Sequence, residues 1–332
     1  MKSQFMSGIR LTGTGSAVPS TYLDNHQLSK IVVTSDEWIA SRTGIYRRHL
    51  LPHKDSLTNI ATSAAQKAMM MAGLTPQQLD LIILATSTPD DLFGNASLIQ
   101  AQLGARQAVA FDLTAACSGF VYSLITAAQF IRTGAYRNVL VIGADVLSRW
   151  VDWSDRSTCV LFGDGAGAVV LQANEQDYLL GFQLHTDGTQ NHHLNLRYQG
   201  QARTLVDGVF IDQGKYQPLK MNGKEIYRFA IQKVPEVIEK ALFQADITAA
   251  EVDWLLMHQA NQRILEAVAA RLDIPARKII SNVANYGNTS GASIPLALDE
   301  AIRCGQIQPH NTLAIAGFGA GLTWGAAIFK WV

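Results

Sequence analysis

Charge, cysteine and long apolar runs are all scarce in this chain, and each scarcity excludes something. Only 16% of the 332 residues are charged, and 27 Lys+Arg balance 27 Asp+Glu to a formal net charge of +0. Nothing global draws such a chain to nucleic acid or to an anionic membrane, so any basic partner site has to be local. The cysteines Cys117, Cys159 and Cys304 are odd in number and widely spaced, which argues against a disulfide framework and for a reducing compartment. No stretch reaches the roughly 18 apolar residues of a membrane span. Residues 1–5 hold no apolar run of signal-peptide length. A soluble, cytoplasmic protein is the expectation.

Apolar residues, at 48%, are abundant. That is enough for two cores or one large one, with some surface hidden in an oligomer. Short aliphatic runs alternate with helical patterns. Leu81–Ala85 and 138–143 read as buried strands, 108–113 as a strand leading into Cys117, and Ala96–Leu103 and 120–133 as helices, the latter closed by Gly134. This alternation is the pattern of an α/β layered fold. The second half repeats it. Asp253-Trp254-Leu255-Leu256-Met257-His258 parallels Asp80-Leu81-Ile82-Ile83-Leu84-Ala85, and Thr312-Leu313-Ala314-Ile315-Ala316 parallels Val139-Leu140-Val141-Ile142-Gly143. The two pairs share one sequence offset (253 − 80 = 312 − 139). Between them, Ile279-Ile280-Ser281-Asn282-Val283 stands where the strand before Cys117 would. A recurring offset predicts an internal duplication of roughly half the chain, with halves over 1–175 and 176–332 that could pack as a pseudo-twofold pair. The stretch 186–219 is polar and reads as an irregular insertion or surface flap. His192-His193 inside it lacks further ligands at metal-site spacing, so a solvated loop is expected and no metal.

Three residues in small-residue settings stand out: Cys117 in Ala116-Cys117-Ser118-Gly119, His258 in His258-Gln259-Ala260-Asn261, and Asn288 in Tyr286-Gly287-Asn288-Thr289-Ser290. A thiolate attacks carbonyls well, and His and Asn can hydrogen-bond an oxyanion or an enolate. Cys117 follows a strand and leads into a helix, where free N–H groups and the dipole lower a thiol pKa. Each has a plain alternative: a buried core thiol, a satisfied histidine, a turn asparagine. Cys159 and Cys304 are read as small buried residues. In a duplicated fold the trio would meet at the interface of the halves, where pockets commonly form.

At this point the chain resembles β-ketoacyl-acyl-carrier-protein synthase III, the thiolase-fold enzymes that initiate type II fatty-acid synthesis. The likeness runs the whole length, through Thr34-Ser35-Asp36-Glu37-Trp38, Ser41-Arg42-Thr43-Gly44-Ile45, the three segments above, Phe162-Gly163-Asp164-Gly165-Ala166-Gly167 and Gly317-Phe318-Gly319-Ala320-Gly321-Leu322-Thr323-Trp324-Gly325. The resemblance implies a thiolase-like α/β fold, two duplicated αβαβα halves packed as a pseudo-twofold five-layer structure, and a decarboxylative Claisen condensation without metal or cofactor. Cys117 takes an acyl group, most simply acetyl, from an acyl-CoA. His258 and Asn288 then stabilise the enolate left when malonyl-acyl-carrier protein loses CO2. The backbone N–H groups of Cys117 and Ala320 would hold the oxyanion, Ala320 replacing a family glycine. Trp38, Arg156 and Arg42 would bind CoA, Trp38 and Arg156 sandwiching the adenine. The alternative for Trp38 is a core aromatic on a helix opened by a Thr34/Glu37 capping box. Arg263 and Arg228 would receive acyl carrier protein. Tyr46 replaces an arginine of some members, with Arg47 and Arg48 next to it. Phe93 would close the acyl pocket of a second protomer in a homodimer.

Other readings fit less well. Cys, His and Asn in that order also describe papain-like cysteine hydrolases, but the Cys117 surroundings and the duplicated scaffold do not. Gly163-Asp164-Gly165-Ala166-Gly167 precedes an apolar strand, whereas a dinucleotide loop follows one. The alternative within the fold is a condensing enzyme or acyltransferase of secondary metabolism. Simple acyl transfer would not need the enolate donors.

Overall fold

The runs 81–85 and 138–143 become strands covered on both faces, which is why they read as continuous rather than alternating, whereas 108–113 becomes a half-buried edge strand with Val109 exposed. The computed structural model describes residues 7–332, so residues 1–5 lie outside it. The first sheet holds β1 (Gly8–Ala17), β2 (Leu81–Ala85), β3 (Val109–Leu113), β4 (Asn138–Val146) and β5 (Asp164–Asn174), in the order β1-β5-β4-β2-β3. The second holds β6 (Leu179–Thr186), β7 (Trp254–Met257), β8 (Ile279–Ile280), β9 (Thr312–Gly319) and β10 (Thr323–Lys330), in the order β6-β10-β9-β7-β8. The two orders are the same topology. In each sheet the second strand of the half runs parallel to two neighbours, and the last strand runs antiparallel to its two.

Six helices layer these sheets. They are α1 (Leu57–Ala72), α2 (Ala96–Leu103), α3 (Gly119–Arg132), α4 (Gly223–Gln244), α5 (Gln262–Arg271) and α6 (Ser293–Arg303). Leu81 and Ile83 of β2 turn inward onto α3 and α6, while Ile82 and Leu84 turn outward onto α1 and α2. Leu256 of β7 joins the central layer, and Leu255 and Met257 face α4 and α5. The result is five layers, with α3 and α6 between the sheets. Among the described residues, no helix is long and apolar enough to cross a membrane.

The duplication is written into hydrogen bonds as well as topology. Asp80 accepts from the Asn138 N–H at 2.9 Å, and Asp253 accepts from the Thr312 N–H at 2.7 Å. Each aspartate N–H donates back to the same partner's carbonyl at 3.0 Å. The offset, however, is not constant. Leu81 pairs with Val139 and Trp254 with Leu313. The step from β4 to β9 (313 − 139) is therefore one position longer than the step from β2 to β7 (254 − 81). For β8 the step is shorter than either, since Ile279 takes the place of Ala110 (279 − 110). β8 also ends at Ile280, and Val283–Tyr286 is a helical turn rather than more strand.

The 186–219 insertion is more regular than its composition suggests. Tyr198–Val206 and Val209–Tyr216 form an antiparallel ribbon that turns at Asp207-Gly208, with Gly208 at φ 77°. An Asp-Gly pair between β-prone runs is a strong two-residue hairpin signal. His192 and His193 end a short turn below it. Among the described residues, no group of three or more His, Cys, Asp or Glu is gathered as for a metal ion. Cys159 is buried as expected, but Cys304 caps the end of α6 and is exposed.

The halves meet most closely where Gly143 of β4 faces Gly291, just before α6. A Cβ on Gly143 would lie well inside contact distance of the Gly291 carbonyl oxygen. Gly143→Ala is expected to lower stability by about 1–3 kcal/mol, read as a reduced denaturation midpoint at unchanged slope.

Candidate active site

Two short 3-10 turns, Ala116–Ser118 and Ser290–Ala292, lead into the central helices α3 and α6. Each begins on a left-handed non-glycine residue, Ala116 at φ 47° and Ser290 at φ 52°. Such a turn lifts the next residue off the strand end towards a cleft. Here that residue is Cys117, and it is 7% exposed. Gly319 packs against it so closely that a Cβ there would sit 2.8 Å from the Cys117 nitrogen.

His258 follows β7 and is buried against Phe318, whose ring stands edge-on to it at 5.1 Å. Its Nδ1 lies 2.7 Å from the Ser293 hydroxyl, which also accepts the Gln259 N–H at 3.3 Å. With that N–H accepted, the Ser293 proton is available to Nδ1. With Ser293 donating to Nδ1, the single ring proton sits on Nε2, which is then a donor. Gln259 steadies this strand end through the Met257 and Ile280 carbonyls. Asn288 is pinned on both sides: its N–H donates to the Leu161 carbonyl at 2.8 Å, and its carbonyl accepts from Gly163 at 3.0 Å. Its Oδ1 accepts the Ser290 N–H at 2.8 Å, so its Nδ2 group is the free end.

All three residues line one cavity of about 970 Å³. Leu147, Trp150, Phe162, Leu194, Leu219 and Ile226 make much of its wall apolar. The insertion contributes Leu194 and Leu219, so it roofs the site. Ser293, Gln259, Phe318 and Ser290 escaped the sequence reading, although Gln259, Ser290 and Phe318 lie inside motifs it quoted.

Burial governs the electrostatics. Desolvation pushes the His258 imidazole down to about 3, so it is neutral at physiological pH. Between about 6.5 and about 3 the unfolded chain takes up a proton at this histidine that the folded chain refuses. His258 therefore removes stability as pH falls through that window. Burial also pushes the Cys117 thiol up to about 12, with the Asp145 charge adding to it and a Ser290 hydrogen bond opposing. The lowered thiol pKa expected from the helix start is thus overturned: desolvation outweighs the dipole.

The residues expected to bind CoA and carrier protein lie outside the lining of the cavity. Trp38 is half-buried on the helix Asp36–Thr43, which is capped by Ser35 rather than by Thr34. The Arg156 and Arg42 guanidinium carbons lie 4.5 and 4.8 Å from its ring centroid. That spacing leaves no room for a base between Trp38 and Arg156, so Arg156 has to swing out to form a sandwich. Asn261 donates to the Arg42 carbonyl at 3.0 Å and caps α5, whose first turn carries Arg263. An arginine at a helix start opposes the dipole, a choice that stability alone does not favour. Arg228 is exposed on α4 and paired with Glu225 at 2.7 Å. Arg48 does not join this surface. It is fully buried, bonded to Asn25 at 2.7 Å, and packs behind Gly163 and Gly287. Arg47 turns to Asn285 and Tyr22. Ala320 lines the cavity, and the left-handed torsion of its loop falls on Gly321 at φ 133° instead. Phe93 is 99% exposed, so it is no core aromatic.

Comparison with known proteins agrees with this geometry. A family model for 3-oxoacyl-[acyl-carrier-protein] synthase III matches residues 111–188, and the model of its C-terminal domain matches 242–331. The chain is 68% identical over 324 residues to a β-ketoacyl-[acyl-carrier-protein] synthase III of Nostoc sp., covering 98% of each chain. It is 66% identical over 328 residues to one of Acaryochloris marina, covering 99% of each. Among solved structures, the 3-oxoacyl-[acyl-carrier-protein] synthase III of Aquifex aeolicus superposes with a TM-score of 0.89 at 44% identity, over 98% of this chain and 100% of that one. The OleA protein of Xanthomonas campestris, at 18% identity and TM-score 0.83 over 98% of this chain and 100% of that one, shares the fold.

The raised thiol pKa has a direct readout. Alkylation of the Cys117 peptide by iodoacetamide, followed by mass, should speed up about tenfold per pH unit from about pH 7 to 10, because only the thiolate reacts. A plateau near pH 7–8 would contradict it.

Proposed function

The chain belongs to the 3-oxoacyl-[acyl-carrier-protein] synthase III family, and from that premise we propose how its own residues divide the reaction. It is an acyltransferase that condenses an acyl-CoA primer with malonyl-acyl-carrier protein and so initiates fatty-acid synthesis. In our reading the Cys117 sulfur attacks the thioester carbonyl of the primer. The C–S bond to CoA breaks, and the thiol proton leaves with CoA. The oxyanion formed on the way is taken by the N–H groups of Cys117 and Ala320. Malonyl-carrier protein then enters, its carboxyl group departs as CO2, and the electron pair stays on the α-carbon. That carbon attacks the acyl group and releases the Cys117 sulfur.

The observation that carries this reading is the pair of neutral donors in an apolar cavity. His258 offers Nε2–H because Ser293 occupies Nδ1, and Asn288 offers Nδ2–H because Ser290 occupies Oδ1. Neutral donors held in place before the reaction bind a developing enolate without solvent reorganisation. No step in this scheme calls for a metal or other cofactor. A protonated His258 would also donate, but its burial disfavours that form.

The arginines outside the cavity suit an acidic, phosphate-bearing partner. Trp38 with Arg156 and Arg42 is assigned to CoA, and Arg263 and Arg228 to acyl carrier protein. Residues 1–175 and 176–332 are read as the two halves. Leu92 lines the cavity beside the fully exposed Phe93. Together with the unpaired edge strand β3, this supports a homodimer whose second copy closes the acyl pocket. Acetyl is the primer we favour, and the free thiols suit the cytoplasm.

The two half-reactions are expected to separate. Cys117→Ala should abolish acyl transfer from acyl-CoA while decarboxylation of malonyl-carrier protein persists. Asn288→Ala should retain acylation and lose about 100-fold in condensation, the usual cost of one such donor. Wild-type condensation in Asn288→Ala would remove the enolate role.

A further inference from the structure

The turn that carries Cys117 has a copy in the second half, where Ser290 stands for Ala116 and Gly291 takes the place of the thiol. By strand register the residue facing each turn is also duplicated. Gly319 faces Cys117, and its counterpart on β4 is Asp145, at the same offset as the two turns (319 − 145 = 290 − 116). Asp145 is 0% exposed. One of its oxygens accepts the Gly291 N–H at 2.9 Å, the counterpart of the Cys117 N–H. The other accepts the Ser87 N–H at 2.8 Å, with the hydroxyls of Thr88 and Thr86 at 2.9 and 3.3 Å.

We propose that Asp145 is a positioning residue of the condensation. Its carboxylate fills, in the C-terminal half, the anion site that the N-terminal half leaves open beside Cys117, and so locks the Ser290-Gly291 turn that aims Asn288. This rests on the enolate role assigned to Asn288. The linkage is short and continuous. Asp145 holds the Gly291 N–H, the preceding Ser290 stays left-handed, and the Ser290 N–H holds Asn288 Oδ1 so that Nδ2 faces the cavity. A left-handed serine persists only where its surroundings over-determine it. Without the carboxylate, Gly291 loses its acceptor, and the turn and the Asn288 amide are free to relax.

An asparagine at 145 has the same shape but only one acceptor oxygen. Three donors converge on the Ser87 side, so the oxygen stays there and the amide NH2 meets the Gly291 N–H. Asp145→Asn therefore cuts the Gly291 link and alters the contact of Asp145 with the Ser290 side chain. At Cys117 two effects oppose each other, loss of the nearby acidic group favouring the thiolate and loosening of the Ser290 hydrogen bond disfavouring it, so acylation is expected to change little.

The test is a double-mutant cycle read separately on the two half-reactions. In Asp145→Asn, acylation of Cys117 by acyl-CoA should stay within about threefold of wild type. Decarboxylation of malonyl-carrier protein should fall by about 10- to 100-fold, the cost of a misaimed donor. Adding Asn288→Ala should cost almost nothing more, whereas adding His258→Ala should multiply the loss. If Asp145→Asn does not fold, Asp145→Ser, which removes both carboxylate oxygens and so the Ser87-side bonds as well, enters the same cycle, read on the ratio of decarboxylation to acylation. Equal loss in both half-reactions, or multiplying effects of the 145 and 288 changes, would overturn the proposal. Asn288→Ala alone retaining wild-type decarboxylation would instead sink the underlying role of Asn288, so the two failures are distinguishable.

Discussion

Everything at this site hangs on the back-to-back approach of two left-handed turns between the sheets. Gly291 of the second turn lies near the Ala116 carbonyl of the first and meets Gly143 of β4 with no side chain between them. From that contact the N-terminal half sends Cys117 into the cavity, and the C-terminal half sends Asn288 and, from the neighbouring strand end, His258. Neither half alone holds a complete set. A packed glycine contact is also stiff, since close-packed interiors transmit small displacements rather than absorb them. The reacting groups thus inherit their spacing from the core.

Duplication followed by divergence explains why the two copies of the turn differ. One keeps a thiol and faces a glycine. The other keeps a glycine, faces Asp145 and has its N–H occupied by protein. The same desolvation works on both sides of the cavity. It holds His258 neutral and it disfavours the Cys117 thiolate.

Much of this was legible in the chain, and the physical reason is burial. Leu81–Ala85 and Ala96–Leu103 match the structure end to end, because a strand covered on both faces and a helix closed by Gly104 leave sharp traces. Cys117, His258 and Asn288 were visible because each interrupts small or apolar residues at a strand or turn end. What stayed hidden depends on contacts across long sequence separations. Asp145 finds Gly291 146 residues away, and Ser293 finds His258 35 residues away. The thiol pKa was misread for the same reason: a helix start is local, but enclosure is not. Polar composition disguised the ribbon over 198–216, whose Asp207-Gly208 turn was the signal to follow.

The central claim is that Cys117, set where the halves meet, carries the acyl group between the two substrates. The most direct measurement is mass spectrometry of the Cys117 peptide after incubation with a panel of acyl-CoAs, alongside the free CoA released. The account predicts one acyl group on Cys117 per CoA freed, with a short chain preferred. A Cys117 left unmodified by every CoA ester would contradict it.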